Sequence, residues 1–569
     1  MNGNANNKKI VLAMLPFWTP LIPPMGITCL KSYLQPRGFD VKTVDANTEP
    51  GFRELYDRYF GVLKQHVPSD KQGNFYSIGQ DILHNHMTAH LDTAGTGDII
   101  ELVELLIDRT FFCRVDRSAV IELNRIVSDF YTLLETYVAG LLETYSPSVL
   151  GLSVCSGTLA PSLFAFRRAK KWDPGILTVM GGGIFCDQFA VGTPNFDVLL
   201  EQTRDSVDKF IVGEGELLFY KLLSGELPPS KRYYSLADIG IKNLDIGDME
   251  TPDFSDFDVH FYPYLSNYTS RSCPYQCSFC SDTVMWGRYR KKPAHRIAAE
   301  LKRLHELWGS RIFMMSDLLL NPVVEDLSRV FRESGVSLYW DGCLRAEKHV
   351  CSIENTLDWR RGGMYRARIG CESGSQRILD LMRKHISVEQ IKSALSSLAG
   401  VGIQTTTYWV IGFPGETEAD FRETLDLIEE MKDDIYEAEC RPFYYYLTGQ
   451  SGSDFFEKER KSIPLYPGKA EEMLMFRTWI LDGEPSREET YLRVNRFVRH
   501  CRRLGIPNPY SLKDIYDADE RWKHLHGNAV PSLAEIKKDT VPHDECKHVE
   551  PLVVITQAAV NEDEGDFNF

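Results

Sequence analysis

No stretch of this chain is apolar for long enough to cross a bilayer. The apolar run inside the N-terminal MNGNANNKKIVLAMLPFW is too short, prolines soon follow it, and no secretion signal is visible. A soluble, cytoplasmic protein with no membrane partner is therefore expected. A basic excess is missing too. The net charge of −16 argues against a general nucleic-acid binder, which needs a basic face to neutralise phosphates. Cysteines are sparse, 13 among 569 residues, and scattered apart from one tight group. Without a signal peptide such a group reads as metal-binding and not as a disulfide framework. There is no short internal repeat.

What is present allows a large core: 43% hydrophobic and 25% charged residues, on a chain too long for one ordinary domain. Residues 8–15 (KIVLAMLP) read as a strand. A helix with Ile27, Leu30 and Leu34 on one face and a second strand in FDVKTVDAN follow, the opening of a parallel α/β sheet. Residues 51–147 are mainly helical and read as an insertion. Strands then resume in SVLGLSVCS, ILTVMGGG and VDKFIVGEGE, giving a first domain over 1–225. Residues 226–262, rich in Pro, Asp and Tyr, form a connector.

A second α/β series fills 263–449, with strands predicted at 266–271, 311–316, 337–343, 366–371, 404–411 and 438–446. Between them, Ile297, Leu301, Leu304 and Leu307 form one helical stripe. Six such units predict a partial parallel barrel with its ligands at the C-terminal strand ends. Residues 450–535 read as mainly helical, and 536–569 as a partly disordered tail.

The tight cysteine group is SRSCPYQCSFCSD, with Cys273, Cys277 and Cys280 spaced Cys-x3-Cys-x2-Cys just after the first barrel strand. Three close thiolates suit a soft metal or an iron–sulfur cluster. A structural zinc site is the alternative, but zinc normally takes four closed ligands and no fourth Cys or His follows at a short distance. Three cysteines would leave one iron of a four-iron cluster open.

CPYQCSFC resembles the signature of the radical S-adenosylmethionine (SAM) enzymes. The resemblance spans roughly Tyr264 to Thr448. It implies a 4Fe-4S cluster on the three cysteines, SAM bound to the open iron, and a 5′-deoxyadenosyl radical on cleavage. Phe279 would then pack near the adenine. IGCESGS is similar to the family's ribose- and carboxylate-contacting segment, which implicates Glu372 and Ser373. WVIGFPGET resembles its adenine wall and implicates Ile411, Gly412 and Phe413. Asp317, in FMMSD, is the best match for the contact to the amino group, although the family's Gly-Gly-Glu run is absent. Each acidic residue taken alone reads equally as a loop carboxylate.

The first domain resembles the flavodoxin-like (Rossmann-type) cobalamin-binding domain that often precedes such a barrel, through PPMGI, VDAN, GLSVCS, VMGGG and VGEGE. The resemblance implies cobalamin at the strand ends beside Asp45, Asn47, Ser153, Ser156, Gly181, Gly182, Gly183, Gly213 and Glu214. Where many such domains carry a cobalt-ligating histidine in Asp-x-His-x-x-Gly, this chain has Asp45, Ala46, Asn47, Thr48, Glu49 and Pro50. A relic domain that binds no cobalamin is the alternative.

Together these resemblances imply a cobalamin-dependent radical SAM enzyme that methylates an unactivated carbon of a specialised metabolite or a peptide. Two alternatives stand beside it: cyclisation or oxidative rearrangement without methyl transfer, and a non-catalytic metal- or cobalamin-binding protein. An electron donor such as flavodoxin or ferredoxin is the expected partner. Trp340, Tyr408, Trp409 and Tyr444 to Tyr446 could line a substrate pocket, but aromatics at strand ends more often fill cores.

Overall fold

The computed structural model describes residues 8–92, 95–186, 189–447, 456, 462–466, 468–475, 477–508 and 512–527. The expected tail at 536–569 lies outside the described residues. No described helix is long and apolar enough to cross a membrane. The chain forms two compact units: one takes in residues up to Asp258 with 279–288 and 444–482, the other 259–278, 289–443 and the chain from Gly483.

The first unit is built on β1 (Lys9–Met14), β2 (Asp40–Asp45), β3 (Val149–Ser153), β4 (Leu177–Gly181), β5 (Lys209–Ile211) and β6 (Tyr233–Tyr234). They pair in parallel in the order β2-β1-β3-β4-β5-β6. β1 is buried from Ile10 to Met14, as befits a central strand in an all-parallel sheet. Strand order reverses between β1 and β3, where open α/β sheets hold their ligands. β6 falls in the stretch expected to be a connector. Two residues carry too little period-2 pattern to announce a strand.

Four helices fill the insertion between β2 and β3: Pro50–His66, Phe75–Asp92, Thr96–Phe111 and Arg117–Tyr145. Their shared interior is aromatic. Phe75 stacks on Phe111 with centroids 5.4 Å apart, and Phe60 meets Phe75 edge-on.

The second unit holds β7 (Leu265–Asn267), the short pair β8 (Ser270–Arg271) and β9 (Arg290–Lys291), then β10 (Ile312–Met315), β11 (Tyr339–Leu344), β12 (Met364–Glu372), β13 (Gln404–Ile411) and β14 (Glu437–Pro442). Six of these form one parallel sheet in the order β14-β13-β12-β11-β10-β7, the predicted six-unit series. All their C-terminal ends therefore share one edge. β8 and β9 pair antiparallel and clamp the two ends of the segment that carries the cysteines.

The helix Ala294–Trp308 buries Ile297, Leu301 and Leu304, but Leu307 is 58% exposed. At 100° per residue Leu307 has drifted to the edge of that stripe. Trp340 and Trp409 are buried, their indole N–H groups donating to the Gly362 carbonyl and Thr407 Oγ1, so both are packing residues.

The stretch 450–535, expected to be one mainly helical region, divides. A two-stranded pair, β15 (Ser462–Pro464) and β16 (Trp479–Leu481), goes with the first unit. The helices Arg487–Arg503 and Leu512–Leu525 go with the second, where Trp522 and Ala518 pack on Ala399 and Tyr436.

Candidate active site

The loop after β7 and β8 begins under strong constraint. Asp317, just past β10, is buried and accepts from Thr269 N at 2.9 Å, Thr269 Oγ1 at 2.9 Å and Ser270 Oγ at 2.7 Å, and also from the Ser270 amide. Burial pushes its carboxyl up, and these donors oppose that. Asp317 thus fixes the residues immediately before Cys273.

Cys277 is buried, while Cys273 and Cys280 are partly exposed. Burial raises the Cys273 thiol. Cys280 leads into the helix Asp282–Trp286, which packs against Gly183–Cys186 at the end of β4. Among the described residues no three His, Cys, Asp or Glu side chains converge to grip a single metal ion. A cluster needs no such convergence, because its own irons and sulfides fill the space between the thiolates. Arg345, at the end of β11, supplies a second sign of fit. It is 4% exposed, its Nη1 donates to Cys277 Sγ at 3.7 Å, and its Nη2 has no hydrogen-bond partner. The donor set and this unpaired N–H fit an anionic iron–sulfur cluster.

Glu372 closes β12 with φ +63°, a left-handed conformation that is strained for a glutamate and is held here by a register shift between Gly370 and Glu372. Its Oε1 accepts from Lys384 Nζ at 2.6 Å, with both residues buried. Burial works against the Lys384 ammonium, but Glu372 outweighs it and keeps its pKa above the ordinary value. The pair lies over Gly370, where a Cβ would sit 2.4 Å from Glu372 Oε1 and 2.8 Å from Lys384 Nζ. Ser373, also buried, accepts from the Ser375 amide at 3.1 Å and lies 3.3 Å from Thr424 Oγ1. Its hydroxyl is spent on starting the next helix.

At the end of β13, Ile411 and Phe413 are buried, and Phe413 packs edge-on against Phe443. The Gly412 amide donates to Glu416 Oε2 at 3.1 Å, and Glu416 pairs with Arg493 at 2.9 Å. The wall expected of Ile411, Gly412 and Phe413 is thus braced from behind by a buried ion pair. Inside the sheet, Asp341 is fully buried between Arg366 (2.8 Å) and Arg368 (3.2 Å). The strand interior is charged, unlike a barrel filled by aliphatic side chains.

In the first unit the predicted residues gather at the strand ends. Asn47 Oδ1 accepts from the Trp18 amide at 2.6 Å, and its Nδ2 donates to Asp45 Oδ1 at 2.8 Å and to the Leu15 carbonyl at 3.3 Å. Asp45 also accepts from the Asn47 amide. Asn47 is therefore a latch between the loops after β1 and β2. The Trp18 ring is 48% exposed while its backbone is anchored.

Across the switch point, the Phe17 amide donates to the Gly157 carbonyl at 3.1 Å. Ser153 ends β3 and Ser156 is exposed in the turn that follows. Gly182 has φ +110°, and a Cβ there would lie 2.5 Å from the Val154 backbone, so only glycine fits. Gly181 ends β4, whereas Gly183 has nothing within 4 Å of where its Cβ would be, room that a bulky ligand could fill. Gly213 has φ +89°, and the buried Glu214 accepts from the Leu244 amide at 3.1 Å. Phe279 belongs with the first unit, in the same segment as Cys280. A polar cavity of about 360 Å³ lined by Thr88, Asp98 and Lys469 contains none of these residues.

The sequence reading passed over Arg345 and Lys384. Arg345 could have been found, since a charged residue directly after a barrel strand stands where ligands bind. Lys384 lies in the turn after a helix, and no spacing rule ties it to Glu372.

Residues 267–428 match the Radical SAM superfamily. An uncharacterized methyltransferase of Pyrococcus horikoshii is 24% identical over 320 residues, 52% of this chain and 66% of that protein. An anaerobic magnesium-protoporphyrin IX monomethyl ester cyclase of Rubrivivax gelatinosus is 23% identical over 426 residues, 69% of this chain and 72% of the cyclase. Among solved structures, the radical S-adenosylmethionine methyltransferase TsrM from Kitasatospora setae, with cobalamin and a 4Fe-4S cluster bound, aligns with a TM-score of 0.57 at 13% identity over 94% of this chain and 99% of TsrM. A second TsrM structure, with tryptophan substrate and a SAM analogue, gives 0.59. At such identity the likeness is one of fold.

Proposed function

Because this chain carries a radical S-adenosylmethionine domain, we propose that it is a cobalamin-dependent radical SAM enzyme that transfers a methyl group to an unactivated carbon of a small molecule or peptide. The observation that carries the reading is the Cys273-x3-Cys277-x2-Cys280 loop at the C-terminal edge of a six-stranded parallel sheet, with a buried guanidinium donating to Cys277. When bound, the cluster would supply the electron that cleaves SAM, and cobalamin the methyl group.

The chain's own residues bind and orient. Asp317 holds the backbone at the start of the cysteine loop. The Glu372–Lys384 pair offers a fixed carboxylate and a fixed ammonium at the end of β12, suited to a ribose hydroxyl and a carboxylate respectively. Ile411 and Phe413 supply an apolar wall that keeps water from an adenine. In the first unit Gly182 permits the tight turn after β4, and Gly183 leaves room at the strand ends for a corrin.

The cyclase relative favours a second reading, radical chemistry without methyl transfer. One experiment separates the two. Reconstituted protein is supplied with cobalamin, a chemical reductant, SAM and candidate substrates. Methyl transfer yields S-adenosylhomocysteine as well as 5′-deoxyadenosine, with a substrate mass gain equal to one methyl group. 5′-Deoxyadenosine with no S-adenosylhomocysteine supports cyclisation or rearrangement. Neither product from iron-loaded protein rejects the enzyme reading.

A further inference from the structure

Arg345 makes a set of contacts that a surface arginine would not. Its backbone is locked to Asn321, whose Oδ1 accepts from the Arg345 amide and whose Nδ2 donates to the Arg345 carbonyl, both at 2.9 Å. Its guanidinium lies 4.0 Å from the centre of the Tyr275 ring, inside the cysteine loop. The Tyr275 hydroxyl in turn donates to Glu347, two residues beyond Arg345. The planar fork is thus held flat on the loop, with Nη1 on the Cys277 sulfur and Nη2 buried without a partner. Leaving a buried N–H unpaired costs the desolvation of that group with nothing to offset it. Neither a packing role nor the distant Glu347 carboxylate (3.9 Å from Nε) accounts for it.

We infer that Arg345 is a positioning residue that sets the reduction potential of the iron–sulfur cluster, through an N–H to the Cys277 sulfur and a second N–H aimed at the cluster. The inference rests on the radical SAM reading. Reduction adds one electron to an already anionic group. A hydrogen bond to a ligand sulfur, and a fixed positive charge beside it in a low-dielectric setting, favour the more negative state and so raise the potential. Arginine suits the task because it keeps its charge when buried and donates through a rigid plane.

The test is a dithionite titration of the full chain, anaerobically reconstituted and free of SAM, with the reduced cluster read by electron paramagnetic resonance. Arg345→Gln is expected to retain its iron and to lower the ratio of reduced to oxidised cluster at a fixed potential about tenfold, equivalent to about 59 mV for one electron. Arg345→Lys, which keeps the charge but loses the fork, is expected to fall between Gln and wild type. A potential unchanged in both variants overturns the inference. So does an unchanged potential combined with weaker SAM binding, which would make Arg345 a contact to the cosubstrate. If both variants fold but assemble no cluster while wild type does, Arg345 is an assembly residue and the inference fails. A wild-type protein that assembles no cluster rejects the function proposed above instead.

Discussion

Lys384 and Glu372 form a buried ion pair, 2.6 Å between Nζ and Oε1, directly over the bare Cα of Gly370. Removing one partner of such a pair strands the other charge, at about 3–5 kcal/mol. Glu372→Ala is therefore expected to cost stability on that scale as well as SAM affinity. Lys384→Met added to Glu372→Ala should restore much of the stability and none of the affinity. Urea midpoints and equilibrium binding on the two variants check this. Loss of affinity that recovers with stability would make the pair purely structural.

Replacing Cys273, Cys277 and Cys280 together by Ala should abolish the broad visible absorbance and the release of 5′-deoxyadenosine, with iron falling from about four per chain to background. Metal analysis after anaerobic reconstitution reads it directly. Stoichiometric zinc in the wild type, with no iron, would restore the structural-zinc alternative.

The insertion should be acid-sensitive through His86. Its Nε2 faces Asn124 Oδ1 and its Nδ1 faces the Tyr59 hydroxyl, each at 3.1 Å. A carbonyl oxygen can only accept, so Nε2 carries a hydrogen. Burial lowers its pKa to about 4. The unfolded chain therefore takes up the proton first. Stability is complete above the ordinary histidine value, falls as pH drops from about 6.5 towards 4, and levels off below that, for a total of roughly 3 kcal/mol. Denaturation midpoints of wild type and His86→Gln across that range should diverge as pH rises. Parallel curves would contradict the assignment.

Much of this architecture was legible because the strands announce themselves. KIVLAM, VLGLS and QTTTYWVI are apolar or β-branched runs bounded by glycine or proline, and each became a strand. The cysteine loop was legible because its ligands are adjacent in sequence. What escaped depends on distance along the chain. Tyr233–Tyr234 is a strand only by its pairing with β5, and the Arg345–Cys277 contact joins residues 68 apart. Asn47 stands where a cobalt-ligating histidine is expected, yet its amide is committed to Trp18, Leu15 and Asp45, a role no motif encodes.

That commitment bears on the cobalt. An Asn47 side chain tied at both polar atoms to neighbouring loops is held in place, and an amide is a poor substitute for an imidazole as a cobalt ligand. One imidazole does stand near the switch point. The half-buried His84, on the insertion helix Phe75–Asp92, has Nε2 only 3.0 Å from where a Cβ on Gly157 would lie. Its Nε2 and Cε1 lie against the glycine, where a Cβ would be 3.0 and 3.3 Å away. Bound cobalamin is thus expected to have no axial nitrogen, neither from its displaced dimethylbenzimidazole nor from the protein. A cobalt without a strong lower ligand releases an upper methyl group more readily, which suits transfer to a substrate radical. The cob(II)alamin form should show an electron paramagnetic resonance spectrum without superhyperfine splitting from a single nitrogen. A three-line splitting would contradict this, and its loss in His84→Ala would identify the histidine responsible. Protein that takes up no cobalamin would remove the methyl-transfer mechanism and leave a cobalamin-independent radical enzyme.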